Sequence, residues 1–207
     1  MNTKKLLGLA LSGAMAFSMM APAMAVTVND LAEGAEVEVT GTTQLPTIEV
    51  EVPANAAIIL NPYGIQADIP DAFGTGLTDT DQIISPVYAI ENKSGIGIKV
   101  SGTVTGTIEG AEFATSTAVA ETDKKVFLQI GFDAGASASA QPSSKVTVAT
   151  TATNLAEVTV DKAGGTNAFA TFQFSGDASK NPTTTWVEDD TVGAALAFTF
   201  TPNAATS

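Results

Sequence analysis

The chain predicts an all-β fold, an antiparallel β-sandwich of Ig-like or jelly-roll type, on three observations. Period-2 alternation recurs. Residues 36–40 read Glu-Val-Glu-Val-Thr and 48–52 read Ile-Glu-Val-Glu-Val, apolar on one face and charged on the other. Thr, Val, Ala, Gly and Ile dominate the composition, which suits pleated, half-buried surfaces, and turn formers punctuate it about every ten residues. Helical signals are nearly absent, since only residues 29–32, capped by Asn29, could form a single turn.

Taken in order, the predicted strands are 48–52, then a short apolar run at 57–60 after Pro53. Residues 87–90 and 96–108 flank the polar Asn92-Lys93-Ser94-Gly95 turn and read as a hairpin. The most hydrophobic stretch, 126–132, reads as a central strand. Segments 145–149, 155–161, 168–174 and 195–201 complete the series, with Phe169, Phe172, Phe174, Phe198 and Phe200 supplying aromatic core. Residues 68–82 read as an inserted loop, and the low-complexity 135–144 (Gly-Ala-Ser-Ala-Ser-Ala-Gln-Pro-Ser-Ser) as a flexible one. A linker at 135–144 would leave only about 60 residues for a second core, so a single domain over 26–207 is expected.

The first 25 residues read as a cleaved secretion signal. Lys4 and Lys5 form a basic start, 6–20 an apolar run closed by Pro22, and Ala23-Met24-Ala25 a signal-peptidase site. No cysteine stands at the junction for a lipid anchor, and no later apolar run is long enough to span a bilayer. A secreted, extracellular or cell-surface protein without membrane insertion is therefore expected.

Beyond the signal, seven lysines face 22 acidic residues, a net charge of −15, and the chain has no arginine. Counterion release on nucleic acid needs clustered cations, so this balance excludes nucleic acid as a partner. The acidity keeps a β-rich surface soluble and discourages stray edge pairing. The chain also lacks cysteine and histidine, which removes the usual ligands of zinc and haem and the usual base of a serine nucleophile. No Ser-x-x-Lys occurs as a substitute, and nothing singles out two of the 22 acids as a glycosidase pair. No catalytic residue and no obligate cofactor are expected.

Calcium remains chemically admissible, because it binds oxygen ligands alone. The candidate set is Asp79 and Asp81, with Asp68 and Asp71 joining after a turn at Pro70; Glu188-Asp189-Asp190 is a second acidic run. The plainer reading of both runs is a solvated acidic loop. Trp186, the sole tryptophan, and Tyr63 are candidate contact aromatics for a glycan or protein ligand, against packing roles at a core rim and a turn. Asn92-Lys93-Ser94 fits the glycosylation pattern, although a turn explains it without modification.

A resemblance follows from three runs: Val50-Glu51-Val52-Pro53, then Ile58-Ile59-Leu60-Asn61-Pro62-Tyr63-Gly64, then Ser85-Pro86-Val87-Tyr88-Ala89-Ile90-Glu91-Asn92-Lys93-Ser94. Together with Ile98-Lys99-Val100 and the closing strand at 195–202, they resemble secreted surface proteins of Firmicutes-type bacteria, and also the camelysin/TasA-like biofilm fibre proteins. The resemblance implies an Ig-like or jelly-roll surface sandwich and transfers no functional residue. The expectation is a non-enzymatic extracellular structural protein that assembles with itself or other surface proteins by strand addition. Its donor would be the new N-terminus, Val26, Thr27 and Val28. The alternative is a glycan- or protein-binding module.

Overall fold

The computed structural model describes residues 47–117, 119, 122–180, 182 and 184–203. The signal segment, the alternating run 36–40, the turn at 29–32 and the expected donor Val26, Thr27 and Val28 lie outside the described residues.

Eleven strands are described: β1 (Val50–Glu51), β2 (Ile59–Leu60), β3 (Ile83–Ile84), β4 (Tyr88–Asn92), β5 (Ile98–Glu109), β6 (Glu112–Phe113), β7 (Lys125–Gly135), β8 (Lys145–Thr147), β9 (Thr153–Val160), β10 (Phe169–Ala178) and β11 (Thr191–Pro202). One 3-10 turn, Asp71–Phe73, is the sole helical element among the described residues. The first sheet runs β1-β4-β10-β7, and the far edge of β7 is shared by β6 at its start and β8 further along. The second sheet runs β11-β5-β9, and β2 pairs with β3 as a separate ribbon. The two sheets pack as the expected β-sandwich. One pairing departs from a strictly antiparallel pattern: β6 runs parallel to β7.

The segment 126–132 is central, as its hydrophobicity predicts. β7 pairs with β10 over ten positions, and Val126, Leu128 and Ile130 are fully buried. Facing them across the sandwich, Ile98, Val100 and Val104 of β5 are equally inaccessible. Side chains two apart along each strand share a face, so these odd or even rows form the inner layer. The same rule corrects the aromatic core. Phe172 and Phe174 face inward, whereas Phe169, an odd number of residues away, stands on the outer face beside Ala89 and Glu91.

Aromatic rings tie the sheets together. Phe198 of β11 lies 5.8 Å from both Phe132 and Phe172, and Tyr88 stacks on Phe172 at 5.2 Å. Gly102 of β5 makes room for this. A Cβ there would meet the Phe198 ring at 2.9 Å and the Ala197 carbonyl at 2.7 Å.

The expected hairpin at Asn92-Lys93-Ser94-Gly95 is instead a corner, because β4 belongs to the first sheet and β5 to the second. Asn92 is the cause. Its side chain is 1% exposed, and Nδ2 donates to the Ile96 and Asp161 carbonyls at 2.8 Å each. Oδ1 accepts the Ser94 N–H at 2.9 Å. A buried amide must satisfy every polar atom, and these partners route the chain between layers rather than back along β4. With its amide buried and used, Asn92 is not a glycan acceptor site.

Residues 135–144 connect β7 to β8 and are held at their end by Asp133. Its Oδ2 accepts the backbone N–H of Ser143 and of Ser144 and the Ser143 hydroxyl. Burial alone would raise the Asp133 pKa, but the hydrogen bonds from Ser144 and Ser143 outweigh it and hold the carboxyl below its ordinary value. Strands on both sides of this loop belong to the same two sheets.

Candidate functional site

The expected calcium ligands do not converge. Asp68, Asp71 and Asp81 are exposed, and no group of three or more carboxylates among the described residues stands close enough to hold a metal ion. The loop is ordered from its backbone instead. Asn61, 7% exposed, donates through Nδ2 to the carbonyls of Ile65, Asp79 and Asp81 at 2.7, 3.2 and 3.2 Å. A neutral amide thus gathers the loop's backbone, and toward it Asp79 and Asp81 contribute carbonyls rather than carboxylates.

Asn61 and Asn92 are the same device used twice. Ile59-Leu60-Asn61-Pro62-Tyr63-Gly64-Ile65 and Ile90-Glu91-Asn92-Lys93-Ser94-Gly95-Ile96 share the pattern Ile-x-Asn-x-x-Gly-Ile. In each, the buried amide donates to the carbonyl four residues on and to a distant aspartate carbonyl. The repeat is visible in the sequence and would have marked both corners.

Trp186 is half-buried against the core. Its Nε1 donates to the Ser179 carbonyl at 2.8 Å, and Lys124 Nζ lies 5.8 Å from the ring centroid. Lys124 also binds both Asp190 oxygens at 2.7 and 2.8 Å, and Asp190 Oδ2 accepts the Val187 N–H at 2.7 Å. Burial raises the Asp190 pKa, but the Lys124 hydrogen bond, the Val187 N–H and the Lys124 charge lower it further, so the group stays ionised. The ring and the acidic run it precedes therefore form a clasp that fixes the start of β11. Tyr63 is 43% exposed at the Asn61 corner. A polar cleft of about 280 Å³ lies beside β3, lined by Thr78, Asp81, Gln141, Gln173 and Ser175 among others, and neither aromatic borders it.

The feature that stands out is β11. It runs twelve residues, Thr-Val-Gly-Ala-Ala-Leu-Ala-Phe-Thr-Phe-Thr-Pro, with no charge and no bulge in its pairing to β5. Among the described residues it pairs with β5 alone, so its second edge presents a row of backbone N–H and C=O groups. Native sheets blunt such edges by shortness, charge or irregularity. The other edge strands here follow that rule. β1, β6 and β8 are two or three residues long and carry Glu51, Glu112 and Lys145, and β9 carries Glu157 and a register shift.

The inner row of β11 is also incompletely covered. Val192, Ala194, Leu196, Phe198 and Phe200 pack toward the core, yet each is only half-buried. Beside them, two cavities of about 340 and 250 Å³ adjoin and share Ala56, Ala194 and Leu196. Phe172 and Phe174 lie below, and residues 52–58 form the opposite wall. Among the described residues the second sheet thus ends at β11 while the first continues to β4 and β1, leaving a groove lined mainly by apolar side chains along β11. Such an arrangement can take an extended segment, with main-chain bonds giving affinity and alternate side chains entering the groove.

No helix among the described residues is long and apolar enough to cross a membrane. No protein family, curated protein or solved structure matches the chain.

Proposed function

We propose that this protein is a non-enzymatic structural subunit of an extracellular surface assembly, such as a pilus, surface layer or biofilm-matrix fibre, and that it associates by strand addition at β11. The observation that carries this reading is the pairing of an uncharged twelve-residue edge with a half-covered groove lined mainly by apolar side chains. A surface this acidic repels stray association through most of its area, so attraction concentrates where charge is missing. The donor in this reading is Val26, Thr27 and Val28 of another copy, freed by signal cleavage. Because donor and acceptor are different surfaces, the contact is head-to-tail and propagates rather than closing on a dimer.

The test is negative-stain imaging of the processed chain, 26–207. Filaments or long oligomers are expected, and removal of residues 26–29 abolishes them. A monodisperse monomer at high concentration, with and without calcium, overturns the proposal.

A further inference from the structure

The groove beside β11 has a wall with an unusual attachment. Residues 52–58 (Val-Pro-Ala-Asn-Ala-Ala-Ile) link β1 to β2 and belong to no strand. They run alongside β11 without pairing to it, where a fourth strand of the second sheet would lie. Pro53 lacks an N–H, which weakens the segment as a ladder partner. Both ends are anchored: Val50 and Ile58 pack against the core, and Glu51 pairs with Glu91. The middle is exposed from Ala54 to Ala57 and, among the described residues, is hydrogen-bonded by one side chain. The Tyr88 hydroxyl accepts the Ala57 N–H at 2.6 Å and donates to the Ala57 carbonyl at 2.8 Å. Tyr88 itself is fixed by stacking on Phe172, which lies beneath the groove.

We infer that residues 52–58 are a cover over the acceptor groove, latched by the Tyr88 hydroxyl, and that the cover swings outward when β11 takes a strand. This rests on the strand-addition reading and adds its control. The free subunit holds the groove partly occupied, so an incoming strand must first break the Ala57–Tyr88 contact. Several features suit the segment to that task. It carries no charge, it uses small side chains that leave the groove without steric resistance, and its anchored ends return it to place. A wall that instead closed on the added strand would gain backbone bonds and become ordered, which is the opposite outcome.

Hydrogen exchange with a synthetic peptide of residues 26–40 as the probe separates these cases. In the wild-type chain lacking residues 1–40, bound peptide is expected to slow exchange at β11 amides and to speed it at Ala54 to Ala57. Tyr88→Phe keeps the ring stacked on Phe172 and removes only the latch. It should raise the peptide association rate about tenfold, the weight of roughly one net hydrogen bond, with little change in dissociation. Slower exchange at Ala54 to Ala57 on binding, or an unchanged association rate in Tyr88→Phe, overturns the cover while leaving strand addition standing. A peptide that leaves β11 exchange unchanged defeats strand addition at this edge, and the cover with it.

Discussion

β9 and β11 are the two edges of one three-stranded sheet, and they are finished differently. β9 spans eight residues and places Leu155 and Val160 inward at 5% and 1% exposure. Its outward face carries Glu157, bound by Lys99 at 2.8 Å, and its register against β5 shifts between Val100 and Gly102. β11 is half as long again, runs in unbroken register and carries no charged residue. Its inward row is nowhere fully buried. The difference lies in what each strand faces. β9 packs over β7 and β8, where the first sheet continues beneath it. β11 packs over β10 through Phe198, and the first sheet extends past it to β4 and β1, above which, among the described residues, run residues 52–58. Native sheets protect a free edge against further pairing, and β9 carries that protection where β11 does not.

The sharpest way to break the comparison is a single lysine on each edge. Ala197 of β11 and Ala156 of β9 are both exposed alanines at edge positions. Ala197→Lys should weaken self-association on the order of a hundredfold by sedimentation, whereas Ala156→Lys should leave it unchanged. Equal effects would remove the distinction between the edges.

Core truncations should rank the same two strands in reverse. Leu155→Ala empties a closed site and should lower unfolding stability by about 3 kcal/mol in a urea titration. Leu196→Ala, in a half-exposed row beside an existing groove, should lower it by only about 1.5 kcal/mol.

The clasp at the start of β11 gives a test of similar size. Gly110 has φ of +74°, and a Cβ there would run into the Asp190 carboxylate. Gly110→Ala should therefore cost about 2 kcal/mol and loosen β11 at Thr191, while β9 amides keep their exchange rates.

The smallest expected effect is a pH dependence. The Asp190 carboxyl is held below the ordinary 3.8 of a free side chain by Lys124 and Val187. A depressed folded value means that its stabilisation is fully present above about pH 4 and is lost as the pH falls through the folded value. The stability difference between wild type and Asp190→Asn should thus be constant from pH 5 to 7 and shrink in acid. A difference that widens below pH 4 would contradict the ion pair.

How much of this was legible follows from which interactions are local. Alternation and β-branched composition are properties of neighbouring residues, so the sequence by itself determined the all-β class, the central strand at Val126 to Phe132 and the placement of most other strands. The absence of histidine, cysteine and arginine likewise bounded the chemistry before any fold was known. Sheet membership was decided elsewhere. The Asn92 turn has the composition of a hairpin, and only the Asp161 carbonyl, 69 residues away, makes it a corner. The two-residue strands β3 and β6 carry no periodicity to read, and exist because β2 and β7 offer them partners. Acidic spacing around Asp79 could not reveal that Asn61, 18 residues earlier, would claim the carbonyls. The open edge needed the tertiary structure most of all. The uncharged length of 191–202 is visible in the sequence, but that β11 pairs with β5 alone among the described residues is a matter of sheet order, which no local pattern carries.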